Sequence, residues 1–122
     1  MLIAENSTPI FIQIKERIKD DIMSGIYETD ELIISTTQIA KLYGVNPATA
    51  VKSVSMLADE GIVYKKRGIG MCVAAGAKEA VAAERTEQFY NRVLKDAITE
   101  AKKLHIGKKE LLKIISEEKD YD

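Results

Sequence analysis

The stretch Val45–Gly70, "VNPATAVKSVSMLADEGIVYKKRGIG", decides the fold. Asn46 is a helix-capping residue, Pro47 suits a first helical position, and Gly61 suits an exit. Between them Ala50, Val54, Leu57 and Ala58 recur at three- and four-residue spacing and form a buried stripe. Ala48, Thr49, Lys52, Ser53 and Ser55 are left mostly outward. From Ile62 the period shortens to two. "IVYKK" and "MCVAA" flank "RGIG", whose glycines permit the positive φ of a tight hairpin. A helix followed at once by a two-stranded hairpin is half of a recognisable unit.

Working backwards supplies the other half. "STTQIAKLYG" opens with Ser35 and Gln38 at capping-box spacing, turns Ile39, Ala40 and Leu42 inward, and stops at Gly44. "STPIFIQIKERIKDDIMSG" predicts a longer helix, with Thr8 as cap, Pro9 at the first helical position and Gly25 at the exit. Its Phe11, Ile14, Ile18 and Ile22 share one face. "MLIAEN" reads as a short strand and "IYETDELI" as a connecting loop. Helix, short helix, turn, helix and hairpin make a winged helix-turn-helix, a mainly α (α+β) fold.

Beyond Gly76 the pattern is helical. Phe89, Val93, Ala97, Ala101 and Leu104 lie on one face with Tyr90, Leu94 and Ile98 beside them. Gly107 is expected to break that helix before "KKELLKIISEEKD" forms another. Two helices cannot bury both apolar faces alone. The sequence therefore divides into a winged helix-turn-helix domain, 1–75, and a short two-helix dimerisation tail, 76–122. The tail pairs through Phe89, Tyr90, Val93, Leu94, Ala97, Ile98 and Ala101.

Composition narrows the function classes. The 122 residues suit one compact domain or a small domain with an appendage, and such chains gain stability by dimerising. No apolar run reaches the roughly 18 residues of a membrane span, and the amino terminus has no signal-peptide pattern. The lone Cys72 excludes an internal disulfide and fits a cytoplasmic setting. His105 is the sole histidine and no Cys/His cluster has metal spacing, so neither an active site, a metal nor a cofactor is expected. The net charge of −1 is unusual for a nucleic-acid binder. Residues 1–76 hold eight Lys/Arg against nine Asp/Glu, and the remainder ten of each, so any basic surface is local.

That local surface is Lys65-Lys66-Arg67 with Gly68 behind it. A helix-turn-helix puts the first residues of its second helix in the major groove. Thr49 and Lys52 are placed to reach base edges or phosphates there, with Ala48 on the same side, while Asn46 and the first backbone N–H groups face a phosphate. Ser35, Thr36, Thr37 and Gln38 crown the preceding helix and can add uncharged contacts. The alternative reading, a winged-helix module that binds protein instead of DNA, draws on the neutral total charge and on Asp59-Glu60.

On these motifs the chain resembles the GntR family of bacterial transcription regulators, and within it the YtrA-like subfamily with a short two-helix tail. "TPIFIQIKERIKDDIMSG" is similar to the family's opening helix, "VNPATAVKSVSMLADEGIV" to its recognition helix, and "KKRGIGMCV" to its Arg-Gly-x-Gly wing. The resemblance covers residues 9–73. It departs at Ile34 and Thr37, where the family has proline and a DNA-contacting arginine. It departs again at Asp30, Ala48 and Cys72, where glycine, asparagine and phenylalanine are common. The resemblance implies a homodimeric repressor on a palindromic operator, with room for a small-molecule effector at the dimer interface.

Overall fold

The computed structural model describes residues 7–122, so the strand expected in "MLIAEN" lies outside the described residues. The chain comprises α1 (Ile10–Met23), α2 (Thr36–Tyr43), α3 (Pro47–Asp59), β1 (Val63–Lys66), β2 (Gly70–Val73) and α4 (Ala77–Gln88). A π-helical segment (Phe89–Leu94), α5 (Lys95–Lys103) and α6 (Lys108–Ser116) follow. Two compact units divide it, Met1–Ala83 and Glu84–Asp122. The first unit runs past the expected boundary because Ala77 and Val81, on the opening turns of α4, are buried in its core.

That core is small and branched: Ile14, Ile18 and Ile22 from α1, Ile39 from α2, Ala50, Val54 and Leu57 from α3, and Val63 and Val73 from the hairpin. Full burial of each large aliphatic side chain contributes about 1.5–3 kcal/mol before entropy is counted. Three expectations change. Leu42 does not turn inward; it is 68% exposed. Ser53 does not face out. It is fully buried, and its hydroxyl donates to the Ala50 carbonyl at 2.8 Å, which satisfies it inside the helix. Pro9, not Thr8, occupies the cap of α1, and the Pro9 carbonyl accepts from the amides of Ile12 and Gln13.

The helix exits share one device. After α1 and α3, Gly25 (φ +85°) and Gly61 (φ +76°) turn left-handed. Ile26 N–H then reaches back to Asp21, and Ile62 N–H to Leu57. After α5 the same pattern is built without glycine: His105 has φ +59° and Ile106 N–H donates to Ala101. Gly107, expected to break this helix, instead caps α6 with φ −76°.

The ribbon β1–β2 is antiparallel, pairing Val63 with Val73 and Lys66 with Gly70. The loop expected at "IYETDELI" partly joins it. Asp30 N–H donates to Val73, Val73 N–H to Glu31 and Ile33 N–H to Met71, with Leu32 bridged to Cys72.

An ionic clamp closes the end of α3. Lys15 and Lys19 of α1 donate to the two Glu60 carboxylate oxygens at 2.8 and 2.6 Å, and Lys19 also lies 3.6 Å from Glu16. The Lys19 side chain is 1% exposed, so its charge depends on these partners. Burial opposes ionisation of Glu60, but the hydrogen bonds from Lys15 and Lys19 outweigh it and hold its pKa below the ordinary 4.5. A depressed carboxylate pKa contributes stability that is complete above about pH 5 and is lost as pH falls through the folded-state value. Glu60→Gln is expected to cost about 2 kcal/mol at pH 7. Urea unfolding from pH 7 to 3 should show the gap between wild type and variant constant at first, then closing at the acid end.

Candidate nucleic-acid interface

The site begins with the two helix starts. Ser35 Oγ accepts from Gln38 N–H at 3.1 Å, and Gln38 Oε1 accepts from Ser35 N–H at 3.0 Å, which completes the capping box. At the head of α3, Asn46 Oδ1 accepts from both the amide (2.9 Å) and the hydroxyl (3.1 Å) of Thr49. Between the helices Gly44 turns left-handed with φ +64°, and Val45 N–H donates to Ala40. The polar oxygens that sequence placed at the interface thus also hold the helix starts, and their outward donors are what remains.

Ser35, Thr37, Gln38, Asn46, Ala48 and Lys52 are exposed, while Thr36 and Thr49 are half-buried. Lys52 does not swing free. Its ammonium sits over the Phe11 ring, 4.0 Å from the centroid, an attraction worth about 0.5–1 kcal/mol at an exposed site. Sequence reasoning treated Phe11 as a packing residue of α1 and missed it as a brace for a candidate contact. No local signal reveals it, since the two side chains belong to different helices. Val51, which the sequence reading assigned to neither side of α3, is 49% exposed on its outward side.

The wing places its charges by strand pleat. Lys65 shares a face with Val63 and Lys66 shares the opposite face with Tyr64. Arg67 stands at the turn, where Ile69 N–H closes on Lys66 and Gly68 supplies φ +77°. Among the described residues, the ion pairs gather Lys15, Arg17 and Lys19 but none of Lys41, Lys65, Lys66 and Arg67. Within the first unit, the hairpin tip is thus a run of three cations outside these ion pairs. The second wing glycine, Gly70, is fixed by its backbone conformation, φ +136°.

In the second unit Phe89, Tyr90, Val93, Leu94 and Ile98 are exposed, and the Phe89 and Tyr90 rings meet edge to face at 5.8 Å. Ala101 is largely buried within the single chain and lines the groove described next. Leu94, Ile98, Leu111, Leu112 and Ile115 line an open apolar groove of 480 Å³. Cys72 is buried. Among the described residues no His/Cys/Asp/Glu group can hold a metal ion, and no helix is long and apolar enough to cross a membrane.

The sequence profile described as "Bacterial regulatory proteins, gntR family" matches residues 12–73, from the body of α1 to the end of β2. The chain belongs to the GntR family. Among GntR relatives, it is 33% identical over 73 residues to the HTH-type transcriptional repressor YtrA of Bacillus subtilis, covering 60% of this chain and 56% of that one. It is 30% identical over 69 residues to the HTH-type transcriptional regulator GgaR of Escherichia coli, covering 57% of this chain and 28% of GgaR, so it spans less than a third of that relative. Among solved structures, a GntR-family regulator from Bacteroides thetaiotaomicron superposes with a TM-score of 0.71 at 37% identity, over 89% of this chain and 95% of that one. The AraR(DBD) complex with operator ORR3 matches with a TM-score of 0.54 at 30% identity, over 61% of this chain and 89% of the other.

One departure from the GntR pattern now has a physical account. Asp30 stands where the family commonly has glycine, and its φ of +68° is the conformation that favours one. The aspartate compensates by bracing the wing: Tyr64 Oη donates to Asp30 Oδ1 at 2.7 Å. That hydrogen bond pushes the Tyr64 pKa up to about 12, because losing the proton would set a phenolate against a carboxylate. Asp30→Ala should return Tyr64 toward about 10. A phenolate absorbance titration of the variant against wild type should show one tyrosine moving to lower pH.

Proposed function

We propose that this protein is a cytoplasmic transcriptional repressor that binds a palindromic operator as a homodimer. The observation that carries the reading is the wing tip, where Lys65, Lys66 and Arg67 stand without carboxylate partners in the same compact unit as an exposed recognition-helix start. Membership of the GntR family supports it, as do the repressor YtrA and the operator complex of AraR(DBD). The first unit reads DNA through Ser35–Gln38, Asn46, Ala48, Thr49, Lys52 and Lys65–Gly68.

The second unit dimerises. Its exposed Phe89, Tyr90, Val93, Leu94 and Ile98 are too large an apolar set to leave in water on so small a helical unit. Two recognition helices related by a two-fold axis require half-sites about 34 Å apart or a multiple of it. The open tail groove is where a small-molecule effector would bear on the dimer, by shifting the separation of the two heads.

Selection of duplexes from a random library, followed by titration across salt, tests the DNA reading. A two-fold-symmetric site is expected, with a logarithmic salt slope of about −5 to −8 when most of the four to five cations per protomer meet phosphates. Joint replacement of Lys66 and Arg67 by Ala should weaken binding to all duplexes and flatten the slope by about 3 to 4. Failure to enrich any duplex would favour a protein-binding winged helix. Leu94→Glu with Ile98→Glu should shift sedimentation from dimer to monomer while the first unit keeps its fold.

A further inference from the structure

Resting on the DNA-binding reading, the recognition helix poses a chemical question about what it can read. Positions 48, 51, 52 and 55 share its outward face at three- and four-residue spacing. Part of the hydrogen-bonding capacity at its head is used in capping. Asn46 Oδ1 is occupied by both Thr49 groups, the Thr49 hydroxyl proton is spent on that bond, and Ser53 is turned inside. Lys52 is drawn toward the Phe11 ring. Beside the exposed Lys52, the first two turns present the apolar Ala48 and Val51 to solvent, the latter 49% exposed although valine is apolar.

The amino-terminal turns of such a helix approach base edges most closely. In the major groove the one apolar feature is the 5-methyl group of thymine. We propose that Val51, with Ala48 beside it, is a specificity-determining residue that selects a thymine in each half-site by methyl packing instead of hydrogen bonding. A β-branched side chain suits this task. Its two methyl groups are held in a single rotamer on a helix, so little freedom is lost when they meet a fixed methyl partner. The readout would discriminate thymine from cytosine by loss of that contact, and it would add nothing to the salt dependence.

The test removes the methyl group from the DNA and the two Val51 γ-methyl groups from the protein. In the selected operator each thymine is replaced in turn by deoxyuridine, which leaves base pairing intact, and affinity is read by fluorescence anisotropy. One position per half-site should weaken binding about fourfold, and both together about fifteenfold. Val51→Ala, its fold checked by circular dichroism, should bind the thymine operator as weakly as wild type binds the uracil one. The variant should then show less than a twofold response to uracil. The joint Lys66→Ala, Arg67→Ala variant should keep the full uracil response at lower overall affinity. An operator that is bound but indifferent to every uracil, or a Val51→Ala protein that keeps the full response, would overturn the methyl readout and leave DNA binding standing. A protein that binds no duplex would overturn both.

Discussion

The Glu60 carboxylate, held between Lys15 and Lys19, is the constraint on which the arrangement of the first unit depends. It joins the end of the recognition helix to the first helix at a point where the Lys19 stem is buried. At the other end of the same helix, Asn46 fixes the first turn through Thr49. With both ends held and Ala50, Val54 and Leu57 buried between them, the helix cannot roll without breaking an ion pair or exposing its apolar side. The direction of its outward face is thereby set before any partner arrives.

The clamp also resolves the charge problem raised by the composition. Asp59-Glu60 looks like an acidic end on a helix with one lysine. Glu60 is neutralised by two of the eight basic residues in the first 76, and Arg17 is occupied by Asp21. Subtracting these pairs leaves a molecule whose formal balance near zero coexists with a local cationic tip. A whole-chain charge sum averages over that separation; the pairing pattern retains it.

What was legible in the sequence was local. The capping box at Ser35 and Gln38, the Asn46-Pro47 start, the isoleucine face of α1 and the glycine hairpin all involve partners three or four residues apart or a two-residue period. These were readable because backbone geometry alone determines them. Long-range links were not. Lys19 meets Glu60 across 41 positions and Tyr64 meets Asp30 across 34, and neither pairing leaves a trace in periodicity. Ser53 left its expected outward place for a related reason: polarity suggests a side, but helical angle relative to α1 and the wing assigns it. His105 misled in a third way, since a histidine took the left-handed turn that glycine fills elsewhere. Of the candidate site, sequence could place the caps at the helix starts and three cations at a hairpin tip, because both depend on local geometry. The Phe11 brace under Lys52 required knowing which helices touch.

The pleat of β1 couples two properties that appear independent. Val63 anchors the hairpin in the core from the same face that carries Lys65, while Tyr64 reaches Asp30 from the face that carries Lys66. Inserting or deleting one residue in this strand would exchange the faces of the lysines and at the same time eject the anchor. Changes in length within the strand therefore cannot retune where the charge points without loosening the ribbon itself. Freedom to diversify is confined to Arg67 and Ile69, which flank the left-handed Gly68 in the turn and owe nothing to the core.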